Sequence, residues 1–160
     1  MRRNDTKRIA IFGLVAAVYV VLTVSLSFMS YGGIQFRIAE ALTLLCFYKK
    51  HYIIPLTLGC AIANLFSPMV ALDLPFGTIA TFLALFLMIK CRNIYIASLM
   101  PVIVNAVIIA IELNIALKLP IWISMLQVAA GEFACVSILG VILFKTIEKN
   151  PKIIKLIKFE

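Results

Sequence analysis

The chain has 160 residues, 64% of them hydrophobic, a mean hydropathy of +1.11 and a formal net charge of +8. That apolar share exceeds the roughly 45–50% of soluble domains and places the chain among integral membrane proteins. It leaves no room for a soluble catalytic domain, and no GxxxxGK[ST] loop occurs, so any ATP-driven step belongs to another chain.

A spanning helix needs about 20 mostly apolar residues, or fewer in a thin bundle. The basic head "MRRNDTKR" leads into an apolar run over 9–30. That run is too long for a signal-peptide core and reads as a retained first helix. A second segment covers 36–48 and ends at Lys49, Lys50 and His51; a third covers 52–66 and stops at Ser67-Pro68. The fourth runs over 74–89, the fifth over 94–113 and the sixth over 121–144, before a basic tail at 145–160. The second and third are short, but a re-entrant hairpin would put Lys49 and Lys50 at mid-membrane, at a cost of several kcal/mol. The expected fold is therefore an all-α integral membrane protein, a compact six-helix bundle forming one membrane domain over 1–160. Four cysteines stand singly, without metal-ligand or CxxC spacing, so neither a metal, a cofactor nor a disulfide framework is expected.

Charge sets the orientation. With the N-terminus inside, only Arg37 and Lys118 of the 15 basic residues fall outside, a strong positive-inside signal. Both termini are expected in the cytoplasm, and the protein in the plasma membrane of a prokaryotic cell. In this setting the positive charge points to lipid and not to nucleic acid. The tail "KNPKIIKLIK" reads as a short basic amphipathic segment on an anionic leaflet, or as a solvated end.

The acids stand against this pattern. Glu40, Asp73 and Glu112 map to the outer third of their helices. Glu132 lies about 15 Å below the outer end at ~1.5 Å per residue, near the midplane of a ~30 Å core. Asn64, Asn105 and Gln127 add amides there, and Tyr31, Phe36, Phe76 and Trp122 add aromatics. The inner half is nearly all apolar, so the pattern suggests a cup open to the outside with a closed floor. Asn105 and Glu112 are seven apart and share a helix face. Phe36, Arg37, Glu40 and Thr43 share another, and Trp122, Ala129 and Glu132 lie broadly on one side. Arg37 and Glu40, three apart, can neutralise each other.

Structural alternatives accompany these readings. Arg37–Glu40 can be a purely structural pair, and Asp73 can cap the helix beginning at Leu74-Pro75. The asparagines can bridge helices, and Tyr31 and Trp122 can belong to an interface belt. Glu132, a mid-membrane acid with no base nearby in sequence, points most strongly to binding. In the first helix Ala10, Gly13 and Ala17 form a small-residue stripe that lets another helix approach, from this bundle or from a second protein.

The strings "YGGIQFRIAEALTLL", "GCAIANLFSP", "LDLPFGTIAT" and "GEF" resemble the QueT family of queuosine-precursor transporters. These are substrate-binding (S) components of energy-coupling-factor (ECF) transporters. The resemblance implies a six-helix, non-enzymatic protein that captures a 7-deazaguanine from outside and docks on a coupling membrane protein with two cytoplasmic ATPases. It also implies an AxxxA-like docking surface on the first helix, here Ala10, Gly13 and Ala17.

A 7-deazaguanine offers N1–H and an exocyclic amine to a carboxylate, acceptors to an amide and two flat faces to aromatics. The expectation gives Glu132 or Glu112 the guanidine-like edge and Trp122 or Phe76 the stacking. Glu40 or Asp73 would take an aminomethyl cation, with Asn64, Asn105, Tyr31 and Arg37 around them. The residues do not choose among 7-cyano-7-deazaguanine, its 7-aminomethyl relative and queuine. Rival readings are an S component for another vitamin or nucleobase, and a self-sufficient proton-coupled carrier using Glu132 and Glu112 as relays. An enzyme is disfavoured, because the single histidine lies far from the acids and no HExxH or GxSxG occurs.

Overall fold

The computed structural model of the chain describes residues 3–30 and 36–159, which are helical with no strand among them. The first apolar run forms α1 (Arg3–Ser25), followed by a single turn, α2 (Ser27–Ser30). A 3-10 segment, Ile38–Leu44, runs into α3 (Leu45–Tyr48), and a short turn leads to α4 (Ile53–Asn64). Then come α5 (Val70–Met88) and α6 (Ile94–Leu117). The last apolar run is one rod: α7 (Ile121–Glu132), a π-helical stretch Phe133–Gly140 and α8 (Val141–Glu148). A final helix, α9 (Pro151–Lys158), follows.

Four of these helices are long and apolar enough to cross a membrane: Thr6–Ser25, Val70–Met88, Ile94–Leu117 and Ile121–Glu148. Local chemistry explains several of their limits. The Asn93 side chain accepts from the Tyr95 amide at 2.9 Å and starts α6. At its far end Lys118 turns left-handed at φ 56°, while Asn114 Nδ2 donates to the Leu119 carbonyl at 2.8 Å. Helix α5 begins at Val70, ahead of the expected 74. Asp73 therefore sits inside the first turn and does not cap the helix.

The second segment departs most from expectation. An α-helix over 36–48 was the natural reading; residues 38–44 instead wind as a 3-10 helix. Tighter winding rises about 2.0 Å per residue against 1.5 Å, so a short sequence reaches further. None of residues 36–49 is exposed except to an intermediate degree. This segment packs against α1, α4, α6 and the π-helical stretch, and it occupies the middle of the bundle. Around it, α1 packs on α4, α4 on α5, α5 on α6 and α6 on α7. A central position removes the need to match bilayer thickness, because its neighbours meet the lipid.

The end of the bundle that carries most lysines is sealed by one apolar cluster, including Leu44, Leu45, Tyr52, Leu56, Leu85, Met88, Ile94 and Phe144. A smaller cluster of Ala80, Ile109, Leu113 and Val128 lies towards the other end. Along α6 and the last rod, Asn105 and Glu132 fall between the two, while Asp73 and Glu112 stand at or beyond the smaller one.

Helices α1 and α4 meet at Gly59, where an added Cβ would stand 3.1 Å from Tyr19 Cβ and 3.2 Å from the Ala16 carbonyl oxygen. Gly59→Leu is expected to force α1 away from α4 and destabilise the fold by about 1–3 kcal/mol, read as a lower midpoint in thermal unfolding of the purified chain. At the basic end, partial burial and then the charges of Arg8, Lys50 and Lys49 hold His51 below its ordinary value of 6.5. Neutral His51 therefore supports the fold above pH 6.5, and that contribution is lost as pH falls through the depressed value. The imidazole signals of this single histidine should titrate below 6.5 by NMR, and Lys49→Gln with Lys50→Gln should move the midpoint upward.

Candidate functional site

Six elements deliver polar groups to one interior region. The 3-10 segment and its N-terminal flank bring Arg37 and Glu40; α1 brings Tyr19 and α4 brings Cys60 and Asn64. Helix α5 adds Asp73, Gly77 and Thr81 at intervals of four, each nearly one turn on. Helix α6 adds Asn105 and Glu112 on one face, and Glu132 closes α7. All four interior acids, Arg37 and both asparagines are buried.

One part of this region is a bracket of hydrogen-bonded groups. The Arg37 Nη2 donates to Asn64 Oδ1 at 2.6 Å. Asn64 Nδ2 in turn donates to the Asp73 carbonyl at 2.8 Å and to Cys60 Sγ at 3.5 Å. The Tyr19 hydroxyl donates to Glu40 Oε1, and the Thr43 hydroxyl donates to the Glu40 carbonyl at 2.5 Å. The Ser67 hydroxyl donates to Asp73 Oδ2 and accepts from the Met69 amide at 3.1 Å. Gly77 makes the bracket possible: a Cβ there would fall 2.6 Å from Asn64 Nδ2 and 3.7 Å from Arg37 Nη1.

The expected contact between Arg37 and Glu40 is replaced by these separate bonds. The one contact ion pair recorded among the described residues is Lys145–Glu148, at 2.9 Å near the basic end. Arg37 instead acts at longer range, attracting Glu40 and Glu132 together, and it also acts on Glu112. In a low-dielectric interior such attraction is strong without contact. Four acids share one base here, so the region carries carboxylates beyond those one guanidinium can balance.

The other part is not satisfied. Asn105 Nδ2 donates to Glu132 Oε1 at 2.7 Å. Asn105 Oδ1, Glu132 Oε2 and both oxygens of Glu112 are buried without a hydrogen-bond partner among the described residues. The Asp73 carboxyl lies close enough to Glu112 for the two to share a proton, and when both are ionised it adds like charge. Every one of these amide and carboxyl atoms is an acceptor. A group that supplies N–H donors would complete them; leaving each unmet in the interior costs about 1–3 kcal/mol. Glu132 also stands where α geometry passes into the π-helical stretch, a local distortion often found at functional sites.

Not every expected residue joins. Trp122 is 76% exposed. The buried stripe of the last rod runs through Ser124, Val128, Gly131, Glu132 and Cys135, and Trp122, two residues before Ser124, points to the opposite side. Its place is on the outer surface, in keeping with a belt role. Phe76 is half-buried on α5, and Tyr31 lies outside the described residues. Ala10, Gly13 and Ala17 are exposed on α1, and nothing lies within 4 Å of a Cβ built on Gly13. The face of α1 that meets the bundle carries Ala16, Tyr19 and Thr23 instead. Tyr19, Cys60, Ser67 and Thr81 were not anticipated. A phenol deep within an apolar run, far from either end, was the available signal for Tyr19.

Known proteins supply the wider context. A family model described as QueT transporter matches residues 9–149. The queuosine precursor transporter QueT of Lactococcus lactis subsp. cremoris is 46% identical over 69 residues, 42% of this chain and 41% of that relative. The chain thus matches less than half the length of this curated relative. No solved structure matches. The family match runs from within α1 to the end of α8 and takes in every long apolar helix and every buried acid described above, so this chain belongs to the QueT transporter family.

Proposed function

We propose that the chain is the substrate-capture component of a queuosine-precursor importer and binds a 7-deazaguanine among Asn105, Glu112 and Glu132. The observation that carries this reading is the set of buried, unpartnered acceptors on α6 and α7. A deazaguanine presents N1–H and an exocyclic amine side by side, the donor pair that a carboxylate accepts in two parallel bonds. Glu132 Oε2 and Glu112 are the first choices for that edge. Asn105, fixed by its bond to Glu132, leaves its carbonyl oxygen for a further donor. The excess of acid suits a 7-aminomethyl cation, with Asp73 and Glu112 as its neighbours. Half-buried Phe76 is the stacking candidate that remains once Trp122 is placed outside.

The membrane arrangement belongs to the same proposal. Six crossings, with both termini cytoplasmic, put the sealed apolar cluster inside and the acids towards the outside, the arrangement that the lysine distribution favours. In that arrangement the 3-10 segment with α3 forms one short crossing, enclosed by its neighbours, and α4 forms the other, with Ile54, Leu58 and Ile62 on its exposed side. Transport energy would come from a coupling membrane protein and two ATPases of the ECF type. The exposed Ala10, Gly13 and Ala17 face of α1 supports docking there, because no part of the described bundle covers it.

Calorimetric titration of the purified chain with the 7-cyano and 7-aminomethyl deazaguanines, queuine and guanine tests the reading. One deazaguanine should bind well ahead of guanine. Glu132→Gln should weaken that binding roughly 10- to 150-fold, the loss of a charge-assisted bond. Trp122→Phe should leave it within about twofold. A folded chain that binds none of the four compounds would remove the substrate and bring forward the proton-coupled carrier.

A further inference from the structure

The family match stops at residue 149, and α9 begins at Pro151. This helix is nevertheless firmly placed. Asn150 accepts from the Lys152 amide at 3.1 Å and starts it. The Tyr52 hydroxyl donates to the Ile157 carbonyl at 3.1 Å, and Ile157 is buried. Beyond the helix Phe159 turns left-handed and stacks on Tyr52, with ring centres 5.6 Å apart. Phe12 meets both rings edge-on at 5.7 Å, and the Arg8 guanidinium lies 5.7 Å from the Phe159 ring centre. The rotational setting of α9 is thereby fixed against α1 and the start of α4.

That setting leaves a distinctive outer surface. Lys152, Lys155 and Lys158 recur every third residue and share one side of the helix. The opposite, apolar side is wider than the bundle can cover. Ile154 and Ile157 turn inward, while Ile153 and Leu156 continue the same side outward, 40% and 61% exposed. Lys49, Lys50, Lys145 and Lys149 lie at the same end of the molecule. A helix with apolar residues on one side and cations on the other, joined directly to the end of a spanning rod, matches the cross-section of a lipid interface.

We propose that α9 is an interfacial helix that binds anionic phospholipid headgroups through Lys152, Lys155 and Lys158, with Ile153 and Leu156 entering the upper acyl layer. Charge complementarity selects anionic over zwitterionic lipid, since each lysine near such a surface favours the bound state by a roughly fivefold factor. The apolar pair sets the depth. The docking of Phe159 and Ile157 fixes the helix axis, so binding needs no folding step. The surface of α9 lies at the opposite end of the bundle from Asp73 and Glu112, so lipid binding there is independent of substrate.

The test uses the whole chain in lipid nanodiscs. Trp122→Phe with Leu156→Trp leaves a single indole, placed on α9. In discs containing phosphatidylglycerol its emission should be blue-shifted and strongly quenched by brominated acyl chains, and in phosphatidylcholine discs less so. Lys152→Gln with Lys155→Gln should shrink the difference by roughly fivefold per lysine in bound-to-free ratio. The matching Lys→Arg changes should restore it, and salt should weaken it. Equal emission and quenching in the two lipids would overturn the proposal and leave an acidic protein surface as the occupant. A lipid difference that persists unchanged without the lysines would overturn it as well.

Discussion

One guanidinium buried among four carboxylates governs this structure. Taking Arg37 out of water carries a desolvation penalty of several kcal/mol. The surrounding acids and the Asn64 carbonyl oxygen offset it without any direct ion pair to Glu40. The same requirement dictates where the 3-10 segment can lie. Non-α backbone and charge are tolerated at membrane depth only inside protein, so α1, α4, α6 and the last rod must wrap the segment completely. Gly59 and Gly77 follow from that wrapping, since each permits a helix to approach where a side chain would intrude.

Much of this was legible in the sequence because charge in an apolar chain is conspicuous. The seven-residue spacing of Asn105 and Glu112 placed both on the inner face of α6, and each acid singled out is buried. Trp122 was misplaced by phase: ten residues of helix separate it from Glu132, a rotation of about 80° from alignment at 100° per residue. Periodicity did not reveal the 3-10 winding of residues 38–44, because Arg37, Glu40 and Thr43 recur every third residue, a spacing that shares a face in an α-helix as well as in a 3-10 helix. Asp73 looked like a cap because Leu74-Pro75 follows it. The helix begins earlier because Met69 to Leu72 already supply a first turn, in which the Asp73 amide bonds back to the Met69 carbonyl.

The two sides of α1 divide structural duties. Tyr19, on its inner side, holds Glu40 in the middle of the bundle, while Ala10, Gly13 and Ala17 lie on the side that no neighbour covers. One rigid helix thus joins the polar interior to an open surface of small residues, and the clasp of Phe12 with Tyr52 and Phe159 fixes its far end. A displacement of this helix would act on Glu40 through a single hydroxyl.

The unpartnered atoms of Asn105, Glu112 and Glu132 are all oxygens. An interior lined in that way sorts molecules by the sign of their edges before it sorts them by size. Under the proposed capture role, a ring edge that brought only carbonyl oxygens to ionised Glu112 and Glu132 would set lone pair against lone pair and lose its water without recompense.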